Sequence, residues 1–529
     1  MDTDKKHIIL YDTTLRDGAQ TFGISFSLQD KIRIALELDK LRIDYIEGGW
    51  PGSNPKDNIF FSEIRKANLK HSKIAAFGST KRPKMKLTED TLLQDLINSN
   101  APTLTIVAKS WDFHVTDALN ISLEENLALV YDTVAYLKDK GFEVFLDAEH
   151  FYDGFKANPD YAMKVLESAQ KAGVDMLVLC DTNGGILTHE ISTITQTVCS
   201  AFKTPVGVHH HNDAGVAVAN GIAAVLSGAI SVQGTINGYG ERCGNCDLTA
   251  LIPNLVLKLG YHCNAAQSMH HLTETSRYIS EIANLAHNER APYVGDNAFA
   301  HKGGIHVSAL KRNTSTYEHI NPELVGNRRK VLISELAGKS NIQVKAQEMG
   351  ISINKLELPE KILRRIKDLE DQGFQFEAAE GSFELLIRRS NGEYAPFFTL
   401  KGFRVITEKD ESGRVTCEAT IKVEVDGQIE HTAANGNGPV QALDNALRKA
   451  LESFYPEIRE LQLSDYKVRV LNEKDGTGSS VRVLIDQKRH TEHWGTVGVS
   501  TNIIEASWQA LVDGIEYMLL KTRKNSIHQ

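Results

Sequence analysis

The sequence predicts an α/β protein that begins with a (β/α)8 barrel, continues as a helical region and ends in an α+β domain. In the first half of the chain, short β-rich runs alternate with stretches such as 29–41 and 123–137, whose apolar residues have helical spacing. This alternation predicts parallel strands joined by right-handed crossovers. The predicted strands are 7–10, 44–47, 73–77, 103–107, 143–146, 176–179, 206–209 and 232–236.

Eight strand–helix units are what a closed (β/α)8 (TIM) barrel requires, and we predict that barrel over residues 1–270. Periodicity alone leaves an open, doubly wound sheet as an alternative. Residues 271–385 are mostly helical in pattern, which predicts linker subdomains. In residues 386–529, strands are followed by an amphipathic helix twice, which indicates a duplicated α+β unit.

Composition excludes several classes of protein. A chain of 529 residues is too long for one hydrophobic core, and it is 41% hydrophobic and 24% charged. The net charge of −9 gives no electrostatic reason to expect a nucleic acid or an anionic membrane as partner. No apolar run has bilayer length, residues 1–6 do not resemble a signal peptide, and six cysteines do not form a disulfide framework. We therefore expect a soluble cytoplasmic protein.

Polar and ionisable residues gather where the predicted strands end. In (β/α)8 barrels this carboxyl end carries the active site. The segments after strands one, five, six, seven and eight read Asp-Thr-Thr-Leu-Arg-Asp-Gly (12–18), Asp-Ala-Glu-His (147–150), Asp-Thr-Asn-Gly-Gly (181–185), His-His-His-Asn-Asp (209–213) and Asn-Gly-Tyr-Gly-Glu-Arg-Cys-Gly-Asn (237–245).

A metal site is the strongest chemical prediction. Residues two apart on a strand share a face, so His209 and His211 can both point into the barrel mouth while His210 points to the helical layer. Together with Asp17 they offer two nitrogen ligands and one carboxylate, and Asn245 can add an oxygen. This donor set suits Zn²⁺, Mn²⁺, Co²⁺ or Fe²⁺. The alternative is that the histidine triplet is a solvated loop.

Two further residues have open interpretations. Arg16 can stabilise a developing enolate or oxyanion, or it can form an ion pair with Glu47 or Glu241. Glu149 can orient a substrate or transfer a proton, or it can be a buried, paired carboxylate. The Cys-Gly-Asn-Cys segment at 243–246 has no second cysteine pair, so it does not indicate a zinc or redox site.

Taken together, the motifs resemble those of the 2-isopropylmalate, homocitrate and citramalate synthases. The resemblance covers nearly the whole chain, and the segments 47–57 and 147–154 look most like the citramalate synthase branch. The Arg-Asp and His-x-His elements alone also occur in HMG-CoA lyases and pyruvate-carboxylase-type barrels. The motifs that carry the resemblance are Asp-Thr-Thr-Leu-Arg-Asp-Gly-Ala-Gln (12–20), His-x-His-Asn-Asp (209–213), Gly-Glu-Arg-Cys-Gly-Asn (240–245) and His-Lys-Gly-Gly-Ile-His (301–306).

This resemblance implies a role for each candidate residue. Arg16 would stabilise the enolate, Glu149 would lie close to the substrate, and Thr182 would contact a 2-oxo acid. His306, together with Tyr317, would help to remove a proton from an acetyl methyl group. The implied ligands of one divalent metal ion (Zn, Mn, Co or Mg) are Asp17, His209, His211 and Asn245.

The implied reaction is a Claisen-type condensation of acetyl-CoA with a short 2-oxo acid. The acceptor would be pyruvate in the citramalate branch, which serves isoleucine biosynthesis. A 2-isopropylmalate synthase, which uses 2-oxoisovalerate for leucine biosynthesis, and a homocitrate-type synthase are the alternatives. Asp147, beside the substrate end of strand five, is our candidate for a residue that selects the acceptor.

The C-terminal region resembles the family's allosteric dimer domain. It implies a homodimer that binds an end-product amino acid, isoleucine or leucine, and the glycine-containing segments 436–438 and 495–498 are candidate binding turns. Two rival functions remain at this point: a lyase that cleaves an acyl-CoA on the same barrel, and an inactive barrel kept as an amino-acid sensor.

Overall fold

The computed structural model describes residues 7–332, 338–352, 357–471, 473–490 and 492–527. They divide into two compact units, which we describe separately. The first consists of Met1–Phe299 with Ile320–Arg329, and the second of Ala300–His319 with Lys330–Gln529. Within the described ranges, no helix has both the length and the apolar character needed to cross a membrane.

The first unit is a closed barrel of eight parallel strands, which confirms the predicted (β/α)8 fold. The strands follow one another around the ring, and the eighth pairs with the first. They are β1 (Ile9–Asp12), β2 (Tyr45–Glu47), β3 (Lys73–Ser79), β4 (Thr103–Lys109), β5 (Glu143–Glu149), β6 (Met176–Asp181), β7 (Val206–His210) and β8 (Ser231–Gly234).

Helices connect successive strands, and further helices come after the last strand of the barrel. Their first turns carry the expected sequence signals: the Ser27 hydroxyl accepts a hydrogen bond from the Asp30 amide at 3.2 Å, and Asn158 caps a helix that starts with a proline. The helices are α1 (Leu28–Lys40), α2 (Pro55–Ile64), α3 (Thr91–Asn98), α4 (Leu123–Asp139), α5 (Phe151–Ala157), α6 (Pro159–Lys171), α7 (Thr188–Ala201), α8 (Ala217–Leu226), α9 (Leu248–Pro253) and α10 (Leu272–Ile282).

The barrel strands are buried on both faces, as parallel strands covered by helices must be. Every residue of β6 is buried. Inside the barrel, an aromatic cluster fills the end opposite the predicted site, with the rings of Tyr45 and Phe145 edge to face at 5.1 Å. The interior is therefore a packed core, and a cavity opens at its carboxyl end.

The second unit starts with a short parallel ladder and helices and ends in two similar modules. Each module has three antiparallel strands followed by a helix, which agrees with the predicted duplication. Its elements are β9 (Ala300–His301), α11 (Gly304–Arg312), β10 (Lys330–Val331), α12 (Lys339–Glu348), α13 (Leu358–Asp371), α14 (Glu380–Asn391), β11 (Thr399–Lys409), β12 (Val415–Val425), β13 (Gln428–Gly436), α15 (Pro439–Leu451), β14 (Gln462–Val470), β15 (Val481–Arg489), β16 (Glu492–Ser500) and α16 (Ile503–Ile527).

The third strand of each module, β13 and β16, was not expected from the sequence. The hairpin before β13 turns at Asp426 and Gly427, both with positive φ, and Asp-Gly is a strong hairpin signal. Segment 495–498, expected as a turn, lies inside β16 instead. Its two glycines are required for packing, since a Cβ on Gly495 would overlap the carbonyl of Ala378 and one on Gly498 that of Ala506.

Candidate active site

Asp17, His209 and His211 meet in a buried cluster at the carboxyl end of the barrel. The carboxylate oxygen Oδ2 of Asp17 lies 3.2 Å from Nε2 of His209 and 3.6 Å from Nε2 of His211. One ligand atom from each of the three residues lies within 4.8 Å of the others. Each of these residues is at most 5% exposed. This is a carboxylate and two imidazoles converging on one point, the donor set of a divalent cation.

The electrostatics of the cluster suit a cation as well. Burial opposes ionisation of Asp17, but Arg16 and the two imidazoles hold the pKa of that carboxyl well below its usual range. Burial, together with the neighbouring His209, lowers the pKa of the His211 imidazole to about 3. At neutral pH the cluster therefore holds an ionised carboxylate and a neutral His211 imidazole, the forms that bind metal ions.

Asn245 completes the cluster from the loop after β8. Its amide nitrogen lies 2.9 Å from Oδ2 of Asp17 and 3.2 Å from Nε2 of His209, and its backbone bridges to His211. Its Oδ1 is buried and has no hydrogen-bond partner among the described residues. Amide oxygen and nitrogen are interchangeable by a half-turn, which would bring Oδ1 into the cluster as a fourth oxygen donor. The orphaned oxygen thus fits a metal ligand.

Successive side chains of β7 and of the residue after it point to opposite faces, so the three histidines are divided between two faces as expected. The rings of His209 and His211 lie 5.1 Å apart on the inner face. His210 points the other way, is fully buried, and packs its ring against Tyr152 at 5.7 Å. Burial lowers the pKa of His210 to about 3, so this ring is neutral and belongs to the packing between barrel and helices.

Arg16 lies beside the cluster and is held from two sides. Its Nε donates to Oε2 of Glu47 at 2.5 Å, and its guanidinium lies over the Phe77 ring at 4.0 Å from the centroid. Glu47 is fully buried and also accepts from the Tyr11 hydroxyl at 2.9 Å. The ion pair with Glu47, which was one of the two interpretations open from the sequence, is thus present. It holds the guanidinium of Arg16 beside the cluster.

A cavity of about 490 Å³ opens above the cluster. Glu149 lines it and forms an ion pair with Lys109, a partner that the sequence did not suggest. Thr182 also lines it, and its hydroxyl accepts from the His150 amide at 2.9 Å. The residues that line it and were expected in the site are Arg16, Asp17, Glu149, Thr182 and His211.

Asp147 lies deeper in the barrel than this cavity. It is 3% exposed, and its Oδ1 accepts a hydrogen bond from Gln233 at 3.0 Å. Gln233 was not expected in the site. The signal for it was weak: Gln233 is a long polar residue in a short strand, and it lies beside His209 of β7 in the sheet.

His306 and Tyr317 lie together in the second unit. Their rings stack at a centroid distance of 4.0 Å and an angle of 24°. Both side chains are exposed. His301, before His306 in the chain, and Glu318, directly after Tyr317, form a buried pair 3.3 Å apart that joins the two segments. The structure thus brings together the imidazole and phenol that the sequence assigned to one task.

Three family models match successive parts of the chain. The model described as HMGL-like matches residues 7–279, homocitrate synthase post-HMGL domain-like matches 293–374, and LeuA allosteric (dimerisation) domain matches 377–519. Among solved structures, a hydroxymethylglutaryl-CoA lyase from Pseudomonas aeruginosa aligns with 54% of this chain and 95% of its own, at 20% identity and a TM-score of 0.46. That likeness is too distant to bear on function.

Curated relatives match over almost the full length. The (R)-citramalate synthase of Aquifex aeolicus (strain VF5) is 55% identical over 98% of this chain and 99% of its own. That of Geobacter sulfurreducens is 55% identical over 97% and 98%. The 2-isopropylmalate synthase of Methanocaldococcus jannaschii is 31% identical over 98% and 96%. The chain therefore belongs to the family of the citramalate, 2-isopropylmalate and homocitrate synthases.

Proposed function

We propose that this protein is an (R)-citramalate synthase, which condenses acetyl-CoA with pyruvate and releases citramalate and CoA for isoleucine biosynthesis. The observation that carries the proposal is the identity of 46% to 55% to (R)-citramalate synthases, over nearly the whole length of both chains. The buried cluster of Asp17, His209 and His211 at the barrel mouth agrees with it.

We assign the binding of one divalent ion (Zn, Mn, Co or Mg) to Asp17, His209, His211 and Asn245. A divalent cation held there supplies the positive charge that polarises the ketone of the 2-oxo acid. Support comes from the convergence of the three ligand atoms and from the unpartnered oxygen of Asn245.

Arg16, Glu149 and Thr182 are assigned to the reacting substrates. The guanidinium of Arg16, fixed by Glu47, is placed to stabilise negative charge on oxygen while the new carbon–carbon bond forms. The Thr182 hydroxyl is assigned to the carboxylate of the 2-oxo acid. Glu149, held by Lys109 at the cavity wall, orients the reacting groups.

Proton transfer is assigned to His306, with Tyr317 stacked on it. His306 takes a proton from the acetyl methyl group, and the resulting carbanion attacks C2 of pyruvate. The ketone oxygen gains a proton and becomes the tertiary hydroxyl. Water then cleaves the thioester, so the products are citramalate and the free thiol of CoA.

We assign residues 1–270 to the catalytic barrel, 271–385 to linker subdomains that carry His306 and Tyr317, and 386–529 to a C-terminal allosteric dimer domain. The match to the LeuA allosteric (dimerisation) domain over 377–519 supports a regulated oligomer. We propose a homodimer in which the C-terminal domain binds isoleucine, the end product of the citramalate route. Leucine is the effector that a 2-isopropylmalate synthase would bind.

The test is a substrate panel. Purified protein with a divalent metal and acetyl-CoA is given pyruvate, 2-oxobutyrate, 2-oxoisovalerate or 2-oxoglutarate, and release of the CoA thiol is followed. Pyruvate is expected to give the highest kcat/KM, and isoleucine is expected to inhibit. Preference for 2-oxoisovalerate with inhibition by leucine would instead assign a 2-isopropylmalate synthase. Absence of thiol release with every acceptor would contradict condensation altogether.

A further inference from the structure

Next to the candidate metal site, three buried side chains on three different strands are linked into a chain by hydrogen bonds. His209 on β7 presents Nδ1 to Oε1 of Gln233 on β8, at 2.8 Å. The amide nitrogen of Gln233 donates to Oδ1 of Asp147 on β5, at 3.0 Å. All three residues are at most 5% exposed, so solvent does not compete for these bonds.

The chemistry of the three groups gives this chain a direction. A carboxylate only accepts hydrogen bonds, so Gln233 turns its amide nitrogen to Asp147 and its carbonyl oxygen to His209. That oxygen only accepts, so His209 carries its hydrogen on Nδ1. In the neutral form of this ring, Nε2, which lies 3.2 Å from Oδ2 of Asp17, keeps a free lone pair. A neutral imidazole binds a metal ion through such a lone pair.

We propose that Gln233 and Asp147 are positioning residues that fix the tautomer and ring orientation of His209 for metal binding. The inference rests on the metal site proposed above and deepens it. In this arrangement Asp147 acts through Gln233 and does not touch the substrate. Groups that hold a metal-ligating histidine in this way typically change metal affinity by about 10- to 100-fold when they are lost.

A Co²⁺ titration of the metal-free full-length protein tests the proposal. The d–d absorption of Co²⁺ reports both affinity and ligand geometry. Q233M keeps the side-chain length but removes the acceptor, so we expect the Co²⁺ affinity to fall by about 10- to 100-fold. Q233E sets two carboxylates against each other in a buried site, and we expect a comparable loss.

The double variant Q233E/D147N is the decisive one. It exchanges the amide and the carboxylate, so the amide introduced at 147 donates to the carboxylate introduced at 233, which still accepts from Nδ1 of His209. We expect it to bind Co²⁺ within about threefold of the wild type, because Nδ1 of His209 still donates to position 233 although the hydrogen bond between positions 147 and 233 is reversed. A residue needed only for packing would not show this recovery.

Controls separate this inference from the proposed function. E143Q makes the same carboxylate-to-amide change at the other end of β5 and should leave Co²⁺ affinity unchanged, and thermal unfolding checks that each variant folds. Wild-type affinity and spectrum in Q233M would overturn the inference, as would a double variant no better than Q233E. If the wild type itself binds no Co²⁺, the proposed metal site falls, and the inference with it.

Discussion

The Nε2 atoms of His209 and His211 lie 3.2 Å apart, and both face the same carboxylate oxygen of Asp17. Two imidazole nitrogens at this separation cannot both carry a hydrogen toward each other. One hydrogen between them satisfies the pair, and a divalent cation bound by both nitrogens and by Asp17 would satisfy all three ligand atoms at once.

Removal of the metal should abolish condensation, and H211Q should do so by weakening metal binding. One imidazole, one carboxylate and the amide oxygen of Asn245 would remain, so we expect the metal affinity to fall by at least about 100-fold. The measurement is metal content after dialysis, together with thiol release from acetyl-CoA. H189Q, a change at an exposed histidine of α7, is the control. Full metal content in H211Q would contradict the assignment.

R16K should lower kcat without removing the metal. Lysine keeps the charge but cannot hold both the Glu47 carboxylate and the Phe77 ring, so the cation loses its fixed position. We expect a loss in kcat of about 100-fold, typical of one misplaced electrostatic donor. Metal content and thermal unfolding should match the wild type. An unchanged kcat would assign Arg16 to structure alone.

H306N should slow removal of the methyl proton. Wash-in of deuterium from D₂O into the methyl group of acetyl-CoA follows this step separately from condensation. General-base catalysis contributes about 10²- to 10⁴-fold, so we expect exchange and product formation to fall together by that range. Y317F keeps the stacked ring but removes the hydroxyl, so it should have a smaller effect. Normal exchange in H306N would exclude this base.

We expect the free energy of unfolding of the C-terminal domain to decrease as the pH rises, because of the buried carboxyl group of Glu516. Burial raises the pKa of Glu516 from 4.5 to about 7, although the amide of Phe397 donates to it. Between these values the unfolded chain has released the proton that the folded chain keeps. The free energy of unfolding therefore decreases with rising pH across this window, by about 3 kcal/mol in total.

E516Q has no proton to lose, so it tests this directly. In urea unfolding between about pH 5 and pH 8, its midpoint should rise relative to that of the wild type as the pH rises. The amide oxygen can still accept from Phe397, which limits the structural change. A difference between the two proteins that does not vary with pH would contradict the prediction.

Several features of this protein follow from the sequence because they depend on local periodicity. Alternating strand and helix patterns predicted the eight barrel strands, and a spacing of two placed His209 and His211 on one face. The missed strands, β13 and β16, begin with polar and charged residues (Gln-Ile-Glu-His and Glu-His), and apolar residues alternate only weakly along them. Their pairing depends on the hairpin turns and on packing against α15 and α16.

Other features depended on closure of the barrel. Asp17, in the segment after β1, and His209, on β7, are far apart in the sequence, and only the closed ring brings their oxygen and nitrogen to 3.2 Å. The choice between a free and a paired Arg16 needed the position of Glu47 on β2. Gln233 is a polar residue in a buried strand, and its contacts with His209 and Asp147 are seen only in the tertiary structure.

The sequence by itself determined the class of fold, the end of the barrel where the chemistry lies and the types of ligand atom. These depend on residue order along single strands and helices. Only the tertiary structure decided which groups hold the ligands in place, because hydrogen bonds between different strands depend on the register and curvature of the closed sheet.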